Sequence, residues 1–354
     1  MLPPRLIRRL VLAPLVIVMA GALVGLTPAV ALLAAAFSLA GRSRPGLNRA
    51  LRLLSFALVW FLGETAALTV LLCLWIASGF GGRMDTEPYQ SRHYGIMRWF
   101  LDMAYHAAQW SCGLKVEVQG PMEDPVNGPG AGPVIVFSRH AGPGDSLLLV
   151  HYLLSDCGRR PRVVMKASLQ LDPSLDIVAN RLPNAFVKRR EVGSRNYTEQ
   201  IRRLAAGLDR RGALVIFPEG GNWTPVRWRR AVTRLRRMGE HNLAERAVAM
   251  PNVLPPRPGG ALAAIAACPS ADVIFVAHAG LDRLVSVSDV WRSLSADQTV
   301  RARWWRVPAS QVPREASREA QVSWLYDWWG RIDRWISQQH AGLGEESPRP
   351  VAGR

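Results

Sequence analysis

The sequence is poor in cysteine and in acidic residues. The first shortage bears on metal sites and disulfides, and the second on the charge of the protein's partners. Its four cysteines among 354 residues show no Cys-x2-Cys spacing, so neither a zinc site nor a dense disulfide framework is indicated, and reduced thiols are expected. Asp and Glu number 27 against 44 Lys and Arg, a formal net charge of +17. Such an imbalance indicates an anionic partner: a nucleic acid, a phospholipid surface or a phosphorylated small molecule. No nucleic-acid recognition motif accompanies the charge, so binding of nucleic acid is not expected.

Charge is nearly absent from two long stretches near the N-terminus. Residues 10–40 contain no charged residue, and residues 53–80 contain only Glu64. Each stretch exceeds the roughly 20 residues that a helix needs to cross a bilayer. A signal peptide is the alternative for the first stretch, because three arginines precede it, but its apolar run is longer than the about 7–15 residues of a signal core. We expect residues 1–85 to form two membrane helices, as two spans or as an embedded hairpin.

The basic residues around these stretches do not decide their orientation. Arginines precede the first stretch and also lie between the two, so the positive-inside rule favours neither direction. The residues concerned are Arg5, Arg8 and Arg9 before the first stretch, and Arg42, Arg44, Arg49 and Arg52 between the two. Glu64 is either a functional carboxylate within the membrane or a residue at a seam where helices pack.

Beyond the apolar stretches, short β-rich runs alternate with helical patterns. The runs are Leu114–Val118, Pro133–Ser138, Arg162–Lys166, Ala185–Lys188, Ala213–Phe217 and Asp272–Ala277, and the clearest helical patterns between them are Asp145–Leu154 and Tyr197–Arg211. This alternation predicts an α/β domain with a largely parallel central sheet flanked by helices. The domain is expected over residues 86–340, with an amphipathic helix at residues 90–112 and a Trp-rich helix at Arg314–Gln339. Residues 341–354, rich in Gly, Pro and Glu, are expected to be disordered.

Four blocks that contain candidate catalytic or binding residues follow apolar runs of this domain. They are Ser138–Ser146, Asn184–Arg189, Val215–Thr224 and Asn252–Gly260. The first holds His140 and Asp145 on either side of a Gly-Pro-Gly turn that can fold the carboxylate back onto the ring. A carboxylate on one imidazole nitrogen fixes the tautomer and makes the other nitrogen a better base. The ends of strands are where α/β sheets gather their active-site loops.

In this order and spacing, the blocks resemble those of the 1-acylglycerol-3-phosphate acyltransferase family: His-x4-Asp, a Phe-Ile-x-Arg-like block, Phe-Pro-Glu-Gly and an apolar-Pro block. The resemblance covers roughly residues 90–340, and the fourth block with Trp324–Asp333 looks like the lysocardiolipin-type branch. It implies the glycerolipid acyltransferase fold and transfer of a fatty acyl chain from acyl-CoA or acyl carrier protein. The acceptor would be a hydroxyl of lysophosphatidate or another lysophospholipid. The implied partners are therefore a phospholipid membrane, an acyl thioester and a lysophospholipid. No cofactor or metal is expected. The protein is expected to be an integral membrane protein whose catalytic domain faces the cytoplasm.

The resemblance also implies roles for individual residues. His140 would deprotonate the acceptor hydroxyl, and Asp145 would orient His140. The residues expected to bind or shape the acceptor are Lys166, Arg189, Glu219 and Gly220. The chain departs from the family after Phe-Pro-Glu-Gly, where Gly221, Asn222 and Trp223 replace the usual Thr-Arg-Ser, so an arginine that could touch phosphate is missing there.

Three alternatives accompany this interpretation. The chain could be a catalytically silent membrane protein of the same fold that binds lipid or recruits partners. It could hydrolyse a lipid ester with Ser146 or Ser138 as nucleophile, although no Gly-x-Ser-x-Gly elbow is present. His278 and Asp282 form a pair like the first block, but their spacing is one residue shorter and lacks the Gly-Pro-Gly turn. We therefore interpret His278 as a structural histidine at a strand end.

Overall fold

The computed structural model describes residues 2–39, 45–120, 131–142, 144–188, 194–281 and 298–342. They fall into two compact units. The first holds the N-terminal part of the chain up to Lys115 together with Met165–Asn184, and the second holds Val116–Val164, Ala185 to Val285 and the chain from Thr299 onward. Of the expected site residues, Arg189 lies outside the described residues.

The described residues form ten α-helices and seven β-strands. The helices are α1 (Arg5–Leu39), α2 (Pro45–Ala77), α3 (Glu87–Cys112), α4 (Asp145–Ser155), α5 (Pro173–Arg181), α6 (Arg195–Ala206), α7 (Pro225–Arg237), α8 (His241–Val248), α9 (Pro258–Ala267) and α10 (Arg318–Gly342). The strands are β1 (Leu114–Gln119), β2 (Val134–Ser138), β3 (Arg160–Lys166), β4 (Ala185–Val187), β5 (Gly212–Ile216), β6 (Asp272–Ala279) and β7 (Gln298–Val307).

The first unit contains two helices that are long and apolar enough, by length and composition, to cross a membrane. They are Arg5–Val30 within α1 and Leu47–Ala77 within α2. Polar contacts join both helices to α5. Arg8 and Arg9 of α1 each form a 2.7 Å ion pair with Asp176, whose side chain is buried. Glu64 of α2 accepts a 2.7 Å hydrogen bond from the hydroxyl of Ser174, so this carboxylate lies at a packing seam.

The seven strands form one sheet in the order β1-β7-β6-β2-β5-β3-β4. Strand β2 pairs in parallel with β5 on one side and with β6 on the other, and β3 is parallel to β5. Every residue of β2 and β5 is buried, which explains why both strands read as unbroken apolar runs. The predicted α/β class with a mostly parallel sheet is therefore confirmed.

Strand β7 is antiparallel to β6 and was not among the predicted strands. In its sequence, arginines flank two adjacent tryptophans, and most of its side chains are only half-buried. It therefore lacks the apolar run of the central strands.

Aromatic side chains pack α10 against β6. The ring of Phe275 stacks on Trp328, with 4.6 Å between centroids and 7° between planes, and meets Trp324 edge-on. Trp329 is completely buried in the same cluster. The predicted Trp-rich helix is therefore part of the sheet's hydrophobic core. It extends to Gly342, two residues into the tail that was expected to be disordered, and residues 343–354 lie outside the described residues.

Candidate active site

His140 and Asp145 are in direct contact just beyond the end of β2. Nδ1 of His140 lies 2.9 Å from Oδ2 and 3.0 Å from Oδ1 of Asp145. Strand β2 ends at Ser138 and Asp145 is the first residue of α4, so the turn between them brings the carboxylate back to the ring. Every side-chain hydrogen bond that His140 forms with the described residues uses Nδ1. The second nitrogen, Nε2, has no hydrogen-bond partner among the described residues, and the side chain as a whole is 12% exposed.

Several donors hold Asp145 as a carboxylate. Its Oδ2 accepts hydrogen bonds from the backbone N–H of Ala141 at 2.7 Å and of Gly142 at 3.1 Å. Burial raises the pKa of Asp145, but the hydrogen bond with His140, the nearby His278 and the N–H of Gly142 outweigh it, so the pKa lies below its ordinary value. An ionised acceptor at Nδ1 places the proton of a neutral ring on that nitrogen and leaves Nε2 as the basic one.

A second histidine reaches the same carboxylate. Nε2 of His278, near the end of β6, lies 3.5 Å from Oδ2 of Asp145 and 3.1 Å from the backbone carbonyl oxygen of Arg139. The side chain of His278 is 7% exposed. From its spacing in the sequence, His278 is expected to be only a structural residue. In the structure it contacts the acidic partner of His140.

Arg139 is a buried connector behind the His-Asp pair. It is 1% exposed and donates hydrogen bonds to the backbone carbonyls of His278 at 2.8 Å and Asn252 at 2.9 Å. Asn252 in turn donates its backbone N–H to Asp333 of α10 at 2.7 Å, and burial raises the pKa of Asp333 to about 6. One guanidinium thus ties the first block to the fourth block and to β6, a role that the sequence did not indicate.

Glu219 of the Phe-Pro-Glu-Gly block is buried, with 2% exposure. Burial raises its pKa to about 8, although the positive charge of Arg139 acts in the opposite direction. The backbone N–H of Leu254 and the indole N–H of Trp329 also favour the ionised form, but burial outweighs them. A carboxyl buried in this way favours its neutral form.

The third and fourth blocks are joined next to Gly220. This glycine has a φ of +70°, and a Cβ there would lie 3.2 Å from the guanidinium of Arg257. The N–H of Arg257 donates to the carbonyl of Pro218 at 2.9 Å. The third block also contacts the first, because the N–H of Trp223 donates to the carbonyl of His140 at 2.8 Å. Glycine is needed here for both its conformation and its lack of a side chain.

The structure describes only one of the two cations that are expected to bind phosphate. Lys166 is the last residue of β3 and is exposed. Arg189 lies outside the described residues and stays a prediction. Across the described ranges, no group of three or more His, Cys, Asp or Glu side chains could hold a metal ion.

Comparison with protein families bears directly on this site. Residues 115–279 match the family model described as Acyltransferase. The matched residues make up slightly less than half of the chain. All four sequence blocks, and with them the contact between His140 and Asp145, lie inside the matched residues. The match supports the expectation of an acyltransferase.

A solved structure is similar over much of the chain. It is the crystal structure of the 1-acyl-sn-glycerophosphate (LPA) acyltransferase PlsC from Thermotoga maritima, with a TM-score of 0.45 and 14% sequence identity. The alignment covers 81% of this chain and 100% of that one. No curated protein matches the chain.

Proposed function

We propose that the acyltransferase domain moves a fatty acyl chain from a thioester of coenzyme A or acyl carrier protein to a hydroxyl of a lysophospholipid. The observation that carries the proposal is the contact of His140 Nδ1 with the ionised Asp145, which leaves Nε2 as the basic nitrogen of the ring. Lysophosphatidate is the acceptor that the sequence blocks favour, and the lysocardiolipin-type branch remains a prediction.

In the proposed reaction, Nε2 of His140 accepts the proton of the acceptor hydroxyl while its oxygen forms a bond to the thioester carbonyl carbon. The tetrahedral intermediate then expels the thiolate as the carbon–sulfur bond breaks, and the imidazolium returns its proton to the sulfur. The products are an ester and a free thiol. Asp145 keeps the ring oriented and stabilises its positive charge. General-base catalysis contributes about 10²–10⁴-fold, and positioning of the two substrates adds to it.

His278 fits this reaction as a positioning residue. Its Nε2 lies 3.5 Å from the Asp145 oxygen that also faces His140, so it limits the movement of the carboxylate. The charge of a nearby imidazole also favours the ionised form of Asp145. A carboxylate that stays ionised and in place keeps His140 in the productive tautomer.

We assign the acceptor phosphate to basic side chains, with Lys166 and Arg189 as the candidates from the sequence. The net charge of +17 supports attraction to anionic substrates. Glu219 and Gly220 are proposed to shape the acceptor site through the loop that they support, since Glu219 is itself buried.

We further propose that α1 and α2 attach the protein to the membrane with the acyltransferase domain on the cytoplasmic side. Two helices that both cross return the chain to the side where it began. The ion pairs of Arg8 and Arg9 with Asp176 support this arrangement, because they hold the N-terminal end of α1 against α5.

The test uses purified full-length protein in detergent micelles, with acyl-CoA and a panel of lysophospholipids, and measures release of free thiol. We expect release that depends on an acceptor and is lost in His140→Ala. His241→Ala, which changes an exposed histidine at the start of α8, is the matched control and should retain activity. Full activity of His140→Ala would overturn the proposed mechanism. Silence with every acceptor and both donors, while lipid binding is intact, would favour a non-catalytic lipid-binding protein.

A further inference from the structure

The second unit contains a cavity that none of the acyl-transfer residues line. Its volume is about 520 Å³, within the range of small-molecule sites. It lies between the end of α8, with Arg246 and Met250, and the middle of α10, from Tyr326 to Arg334. Its lining also includes the apolar side chains of Ala249 and Met250.

Three arginines give this cavity an excess of positive charge. They are Arg246, Arg331 and Arg334, and Asp327 is the acidic residue of the lining. Asp327 pairs with Arg246 at 2.6 Å. Arg331 lies over the ring of Trp328, 4.5 Å from its centroid, and a contact of this kind holds a guanidinium without an anion. Arg331 and Arg334 are exposed and form no ion pair in the part of the chain that the structure describes, although the charge of Arg334 acts on the buried carboxyl of Asp333.

A glycine inside α10 keeps the cavity open. Gly330 occupies the middle of a 25-residue helix, where glycine is less favourable than alanine. A Cβ at this position would lie 3.6 Å from Nη1 of Arg334 and 3.9 Å from Sδ of Met250, so any longer side chain would extend between these two walls.

From these three observations we infer that the cavity binds the phosphate group of an amphiphilic ligand. Planar guanidinium groups match the oxygens of a phosphate in pairs and bind it more strongly than neutral donors do. The apolar part of the wall, with Met250 and the ring of Tyr326, suits a ligand whose phosphate is joined to a less polar part. Such a phosphate belongs either to an anionic phospholipid headgroup or to a soluble phosphate ester. This inference does not depend on the proposed acyl transfer.

The first experiment measures the binding of inorganic pyrophosphate to the full-length protein in detergent by calorimetry. The double variant Arg331→Gln/Arg334→Gln should weaken binding by about tenfold or more, because each guanidinium donates charge-assisted hydrogen bonds. Raising the salt concentration should weaken the wild-type interaction. Arg202→Gln/Arg203→Gln, on the exposed face of α6, removes the same charge elsewhere and should leave binding unchanged.

Gly330→Leu gives a test that does not depend on charge. Leucine favours a helix over glycine, so this variant should retain its melting temperature while its side chain fills the cavity and abolishes pyrophosphate binding. The inference is overturned if wild-type protein does not bind pyrophosphate, or if the arginine pair or the filled cavity leaves the affinity within about twofold of wild type.

A second arm distinguishes the two sources of phosphate. Protein extracted from phosphatidylcholine vesicles that contain phosphatidylglycerol is analysed by native mass spectrometry for retained lipid. Phosphatidylglycerol that remains on wild type and is absent from Gly330→Leu identifies a headgroup as the occupant. Pyrophosphate binding with no retained lipid identifies a soluble phosphate ester.

Discussion

Replacement of Asp145 by asparagine tests the active-site geometry most directly. The substitution keeps the size of the side chain but removes the charge that faces Nδ1 of His140 at 2.9 Å and the N–H groups of Ala141 and Gly142 at 2.7 and 3.1 Å. An amide can donate to Nδ1, which moves the ring proton to Nε2 and removes the base. We expect kcat to fall by about 10²–10⁴-fold, or about 3–5 kcal/mol in the barrier, with little change in KM.

Stability gives an independent measure of the same contact. The pKa of Asp145 is below its ordinary value in the folded protein, so the carboxylate stabilises the fold above its unfolded pKa, and this contribution is lost as the pH falls through the folded value. Asp145→Asn should therefore lower the melting temperature at neutral pH. The difference from wild type should shrink below about pH 4, where the unfolded carboxyl is protonated.

Thiol release from acyl-CoA measures the rate, and thermal unfolding across the pH range measures stability. Asp156→Asn changes an exposed carboxylate at the other end of α4 and is the matched control for both. A rate for Asp145→Asn within about threefold of wild type would refute the assignment, because a misdirected ring proton cannot leave general-base catalysis intact.

Three further substitutions test neighbouring contacts. In acyl-transfer kinetics, His278→Ala should lower kcat by about tenfold with KM nearly unchanged. His278→Asn should recover part of this loss. An unchanged kcat would show that the residue is purely structural. Because the pKa of Glu219 is raised to about 8, the buried carboxyl destabilises the fold increasingly as pH rises from about 4.5 to 8. Glu219→Gln should thus raise the melting temperature at pH 8 but not near pH 5, whereas destabilisation at pH 8 would indicate an ionised pair with Arg139. Gly220→Ala should lower the free energy of unfolding by about 1–2 kcal/mol or more, because alanine is strained at the positive φ of this position. Gly259→Ala is the control, since its added Cβ would meet open space, and it should leave the free energy of unfolding unchanged.

The sequence predicts the central strands closely because both of their faces are buried. The run Pro133–Ser138 differs by one residue from β2, and Ala213–Phe217 is shifted by one residue from β5. In contrast, the helical pattern Tyr197–Arg211 continues beyond α6, which ends at Ala206. Gly207 follows, and the basic residues after it are part of a turn rather than of a helix face.

The local part of the active site could be predicted, but the part that depends on strand register could not. Five positions and a glycine-rich turn suffice to bring Asp145 to His140. His278 reaches the same place because Ser138 of β2 lies beside Val276 of β6, so the residues two positions further along, His140 and His278, also become neighbours. The pairing register of β2 with β6 cannot be deduced from the spacing of residues along the chain. Arg139 is similar, since its partners lie more than 100 positions away.

The anchoring of α1 has a practical consequence for production of the protein. Arg8 binds both Asp176 and the backbone carbonyl of Pro3, so the first residues of the chain are folded against α5. An affinity tag or fusion partner added ahead of Met1 would crowd this corner and compete with the arginines for their carboxylate. For expression, such additions are better placed after Arg354.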